Sequence, residues 1–189
     1  MVAGAVPIGV LVVLAQAADQ VPLDLLGEWK VLQECLDAYG QRFALRTLPA
    51  ASVDDLSRAL SRFEPQVVHF SGHGAAAGLL FEDERTGSRL VPREALVREL
   101  GLHAPPLQCV ILNACHSDVH AAGVRLGVPY VITMRGEIGD AAAIEFTRGF
   151  YDALAARPDD VRRAFALGCS RIDLKGLPDT DMPALHEGG

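Results

Sequence analysis

Ile8 to Ala15 reads IGVLVVLA, a run without a single polar side chain. A strand wetted on one face alternates apolar with polar residues. One this uniformly apolar is buried on both faces and needs helices above and below it. Gln66 to Phe70, Leu107 to Leu112 and Val128 to Met134 repeat the pattern, and Phe43 to Leu48 is a shorter strand. Helical stripes lie between them. Leu25, Trp29, Leu32 and Leu36 mark Leu23 to Ala38, which Gly40 ends. Ser52-x-x-Asp55 is a capping box for a helix carrying Val53, Leu56, Leu60 and Phe63, and Pro65 stops it. Pro92 suits the first turn of a helix running from Glu94 to Leu100. Ser117 to Leu126 reads as a short helix and Asp140 to Ala156 as a long one. Pro158, Asp159 and Asp160 open a last helix that runs to about Ser170. This alternation implies an α/β domain, a mostly parallel sheet flanked by helices on both faces. Gly78 to Val91 breaks the rhythm and predicts a small β-hairpin turning near Arg85-Thr86-Gly87, with Met182 to His186 as a final edge strand.

Bulk properties narrow the function. The chain has 189 residues, enough for a single domain over residues 1–189. Half of them are hydrophobic and 22% are charged, a globular composition. A net charge of -7 with no basic run argues against nucleic-acid binding. Cys35, Cys109, Cys115 and Cys169 form no CxxC pair and no dense framework, so a reduced, cytoplasmic setting is expected. Ala15-Gln16-Ala17 imitates a cleavage site, yet no Lys or Arg precedes Lys30. The apolar run before it is therefore expected to be a first core strand, and it is too short to span a bilayer.

Two of the strands end in reactive side chains. VVHFSGHG finishes with His73 between Gly72 and Gly74, and VILNACHS brings Cys115 to the end of a later strand. Ligands of open α/β sheets bind at the carboxyl ends of the strands. If these two strands are neighbours, about 4.8 Å apart, an imidazole and a thiol share one rim. The flanking glycines allow a sharp turn and a close approach. The Gly74 and Cys115 N–H groups are candidate oxyanion donors, and His73 is the candidate proton carrier. A helix N-terminus and an imidazole are the neighbours that favour a thiolate. His69, His73, Cys115, His116 and His120 match no zinc-ligand spacing, so no metal is expected. His69 reads as a core residue or a support behind the site, and His116 as one that orients or covers it. Cys109, Cys35 and Cys169 read as core thiols. No GxGxxG, Walker A or GxSxG motif is present, and no cofactor is expected.

HFSGHG followed by ILNACHS resembles the CHAT domain, a caspase-like cysteine peptidase family related to caspases, metacaspases and separase. Gly127 to Ala155 resembles the segment that follows the catalytic strand in that family. The likeness runs from about Ile8 to Arg171. It implies a caspase-like three-layer sandwich, with Cys115 as nucleophile and His73 as its partner. Metacaspases and separase carry an acid two residues before the cysteine, in the pocket for a basic side chain; here that position is the neutral Asn113. Glu137 and Asp140, in the loop after the fifth strand, are candidates to supply the charge. On its position alone, Asp140 reads as a helix N-cap. The resemblance further implies a bacterial effector endopeptidase acting on protein or peptide substrates. A sensor or helical-repeat partner, in cis or in trans, would control it. The alternative is an inactive caspase-fold interaction module.

Overall fold

The computed structural model describes residues 6–16, 19–75, 77–120 and 127–188. A six-stranded sheet forms its centre, ordered β2-β1-β3-β7-β8-β9. Its strands are β1 (Ile8–Ala15), β2 (Phe43–Leu48), β3 (Val67–Gly72), β7 (Cys109–Asn113), β8 (Tyr130–Met134) and β9 (Pro183–Glu187). All neighbours run parallel except β9, which closes the edge antiparallel to β8. A three-stranded antiparallel sheet is made by β4 (Gly74–Ala75), β5 (Gly78–Asp83) and β6 (Gly87–Pro92). The expected hairpin is β5–β6. The two-residue β4 is an addition, too short to carry a period in sequence.

The uniform apolarity of β1 has the expected cause. Val10 and Val12 face one layer, with α1 (Leu25–Asp37), α4 (Asp140–Ala156) and α5 (Val161–Leu174). Leu11 and Val13 face the other, with α2 (Val53–Phe63), α3 (Arg93–Leu102) and β5. Three layers result, as expected for a mixed α/β sandwich. The Ser52–Asp55 capping box forms in both directions, and Glu64 ends α2 in a left-handed conformation at φ 48.

Several boundaries differ from expectation. Helix α1 begins at Leu25, not Leu23, because Asp24 caps it by accepting from the Gly27 N–H. Pro92 belongs to β6 and sits at the N-cap of α3, whose first residue is Arg93. Helix α5 begins at Val161, not Pro158, because Asp160 accepts from the Arg163 N–H and fixes the start. Ser117–His120 is a 3₁₀ turn, and positions 121–126 of the expected helix lie outside the described residues. No helix among the described residues is long and apolar enough to cross a membrane.

Candidate active site

The β3–β7 register places Ser71 beside Asn113, so the two strands expected to carry the site are neighbours and end together. Beyond those ends the chain turns into His73-Gly74 on one side and Ala114-Cys115 on the other, with His73 and Cys115 both half-buried. The two loops press against each other. A Cβ on Gly74 would run into the Cys115 carbonyl oxygen and lie 3.1 Å from the Ala114 Cβ, so the approach depends on glycine.

The orientation of His73 follows from its partner. Its Nε2 lies 2.8 Å from the Val21 carbonyl oxygen. A carbonyl only accepts, so Nε2 holds the donated proton, and in a neutral ring the lone pair is at Nδ1. The Leu80 N–H donates to the His73 carbonyl at 3.0 Å. Gly74, opposite Leu79, therefore stands at the next, non-hydrogen-bonded position of the β4–β5 ladder. Its N–H points away from β5.

Past Cys115 the chain turns at His116, a non-glycine residue at φ 55. Such backbone strain persists only where the surroundings hold it. The exposed His116 donates its N–H to the Gly136 carbonyl at 3.1 Å. Ser117, fully buried, donates its hydroxyl to the Leu112 carbonyl at 2.7 Å and accepts from the Met134 N–H at 2.8 Å. The turn is thus tied to the strand before it and the strand after it.

A cleft lies against Cys115, bounded by the start of α1, the ends of β3 and β7, and the start of α4. Asn113 and Asp140 both line it. Asp140 is not the N-cap of α4; Gly139 occupies that place. The Asp140 carboxylate instead accepts the Asp24 N–H, 3.2 Å from Oδ2, across the cleft. Glu137 is exposed in the same loop and is not among the cleft-lining residues.

One acid that lines the cleft was not anticipated. Glu28 of α1 is only 4% exposed. Its Oε1 accepts from His69 Nε2 at 2.8 Å, from the Thr147 hydroxyl at 2.8 Å and from Asn113 Nδ2. Its Oε2 accepts from the Ser71 hydroxyl. Behind them, His69 Nδ1 lies 3.1 Å from the Tyr151 hydroxyl. Burial alone would raise the Glu28 pKa. The hydrogen bond and charge of His69, with the bonds from Ser71 and Asn113, outweigh it and hold the carboxyl below its ordinary value. The signal for this group was faint but present. Glu28 interrupts the apolar stripe of α1, three residues after Leu25 and four before Leu32. His69 and Ser71 occupy alternate positions on the same face of a wholly buried strand.

Comparison with known proteins places this geometry in context. A family model described as CHAT domain matches residues 24–181. A Roc-COR-CHAT protease from an unknown prokaryotic organism is 21% identical over 170 residues. That match covers 86% of this chain but only 16% of the relative, so the chain spans about a sixth of that protein's length. Among solved structures, the Arg specific cysteine proteinase gingipain R aligns with a TM-score of 0.66 at 13% identity, over 95% of this chain and 46% of its own. Caspase-1 from Spodoptera frugiperda aligns at 0.64 and 12% identity, over 97% of this chain and 87% of its own. At these identities the structural likeness speaks for the fold: a mostly parallel sheet between helices, shared with caspases and gingipains.

Proposed function

The chain belongs to the CHAT domain family, and from that premise we propose that it is a cysteine endopeptidase working through Cys115 and His73. The observation that supports this reading is the glycine-dependent contact of the two loops that carry these residues, at adjacent strand ends beside a cleft that Cys115 lines. The relationship to a CHAT protease supports the same reaction class.

In this mechanism the Val21 carbonyl holds His73 by Nε2–H, and Nδ1 takes the Cys115 thiol proton. The thiolate sulfur attacks the peptide carbonyl carbon, and the electron pair of the C=O bond moves to oxygen. The N–H groups of Gly74 and Cys115 receive that oxyanion. As the intermediate collapses, the C–N bond breaks and the Nδ1 proton passes to the leaving amine, leaving a thioester on Cys115. Water then attacks the thioester with Nδ1 as base. The acid product departs, and the thiol is restored. Asn113 and Asp140 are the substrate contacts this reading retains, both lining the cleft. Glu137 is set aside, because it does not reach the cleft.

We further propose that the domain acts as an effector under the control of another unit, a sensor or helical-repeat module in cis or in trans. Support comes from the Roc-COR-CHAT relative, where the matched region is a small part of a longer protein.

The test is a thiol-reactive peptide probe applied to the protein alone and with candidate partners. Labelling at Cys115 that is lost in Cys115→Ala and reduced by orders of magnitude in His73→Ala is the expected result. Equal alkylation of Cys115 and the buried Cys109, together with no cleavage of any peptide, would leave only the inactive interaction module.

A further inference from the structure

The lining of the cleft beside Cys115 carries acidic groups and no basic one. Three carboxylates line it, Asp24, Glu28 and Asp140, and no lysine, arginine or histidine does. Glu28 is buried, and the donors around it hold it as a carboxylate that faces the cleft. Its one close basic contact, His69, approaches from behind and is not part of the lining. A second observation points the same way. Asn113, 6% exposed, spends its amide N–H on Glu28, and its Oδ1 is buried without a hydrogen-bond partner. A buried acceptor left unpaired is rare in folded proteins and marks a place where a donor is missing. Cleft and acids together ask for a group that is cationic and donates hydrogen bonds without accepting any. The walls are apolar at Leu25, Ile138 and Ile144, which suits an aliphatic stem leading to such a head.

We infer that Glu28 is the specificity-determining residue of this site, selecting a lysine or arginine side chain on the substrate residue whose carbonyl Cys115 attacks. The inference rests on the peptidase reading above and names its substrate class. The charge comes from α1 rather than from the position two residues before the cysteine, where Asn113 supplies the unpaired acceptor instead. The cavity is small as it stands, about 30 Å³, room for little more than one water. Entry of a long side chain therefore requires the mouth to part. A 3.2 Å bond from the Asp24 N–H to Asp140, both exposed residues, ties the mouth. An arriving cation offers Asp140 a stronger partner than that N–H.

The experiment uses peptides that differ only at the residue before the scissile bond: Lys, Arg, Leu, Asn or Asp. The basic peptides are expected to exceed the others in kcat/KM by ~100-fold or more. Glu28→Gln should reduce that ratio at least tenfold. Asp140→Asn, an exposed change that folding tolerates, should reduce it several-fold through KM. A measurement independent of turnover and of mutagenesis runs beside these: agmatine, an alkylguanidinium, should slow alkylation of Cys115, and the neutral N-butylurea should not. Peptide cleavage indifferent to charge, with no protection by agmatine, would overturn the inference and leave the peptidase reading standing. Protection by agmatine with no peptide cleaved would do the reverse.

Discussion

Gly74 and Cys115 touch so closely that a methyl group on the Gly74 Cα would overlap the Cys115 carbonyl oxygen. The peptide following the candidate base and the peptide carrying the candidate nucleophile are therefore one packed unit. Their spacing is set by the absence of a side chain. Gly74→Ala must separate the loops, and a displacement near 1 Å at reacting groups costs on the order of 10²-fold in rate. The expected outcome is a kcat reduced by ~10²-fold or more, with the unfolding temperature shifted far less than in a core truncation. A variant retaining a tenth of wild-type turnover would show that the contact does not position the site.

The four cysteines should react in a defined order. Burial pushes the Cys109 thiol up to about 12. Burial, with the nearby Asp152, does the same to Cys35, up to about 12, and burial with Asp173 lifts Cys169 to about 11. Since the thiolate is the nucleophile, these three are almost wholly protonated at neutral pH. Iodoacetamide at neutral pH should therefore modify Cys115 first, the half-buried Cys169 more slowly, and the buried Cys35 and Cys109 on the timescale of unfolding. Peptide mapping by mass spectrometry reads this directly. Early modification of Cys35 or Cys109 would contradict it.

The strands, most helices and the pairing of the His73 and Cys115 loops were legible in sequence because local pattern determines them. Val-rich runs allow only a doubly covered strand, and two such strands ending in glycine-flanked His and Cys have few places to go. Glu28 was not legible in the same way. Its partners His69, Ser71, Asn113 and Thr147 come from three other elements, and Thr147 lies well over a hundred positions away along the chain. Periodicity shows that an acid interrupts the α1 stripe, but only tertiary packing shows what it meets. Asp140 illustrates the opposite error. Its position before a helix predicts a cap, and the contact from Asp24 across the cleft draws it to a different use.

Ser117 should matter out of proportion to its size. Its hydroxyl bridges the Leu112 carbonyl and the Met134 N–H across the ends of β7 and β8, both inside the protein. Ser117→Ala leaves the buried Met134 N–H without its partner and the Leu112 carbonyl with the Ala114 N–H alone, at a cost of about 1–3 kcal/mol. Because the same residue closes the turn carrying Cys115 and His116, turnover should fall together with the urea midpoint. Ser117→Cys, which retains a weak donor and acceptor of similar size, should recover part of both. A Ser117→Ala protein as stable as wild type would mean that water replaces the hydroxyl.

Acid should unfold the protein partly through Glu28. Its carboxyl is held below the unfolded value of 4.5, so the folded state binds its proton less tightly than the unfolded chain does. The resulting stabilisation is fully present above pH 4.5 and is lost as pH falls through the lower folded value. Glu28→Gln removes that titration. At neutral pH the variant should be less stable by roughly 1–3 kcal/mol, since an amide cannot accept from four donors as the carboxylate does. As pH falls below 4.5 and through the lower folded value the gap should narrow, because wild type loses the Glu28 contribution while the variant has none to lose. Carboxylates common to both proteins, such as Asp55 in its capping box, cancel in the difference. Urea unfolding of the two proteins across that range measures it. Parallel curves, with a gap independent of pH, would show that Glu28 is not ionised in the folded protein.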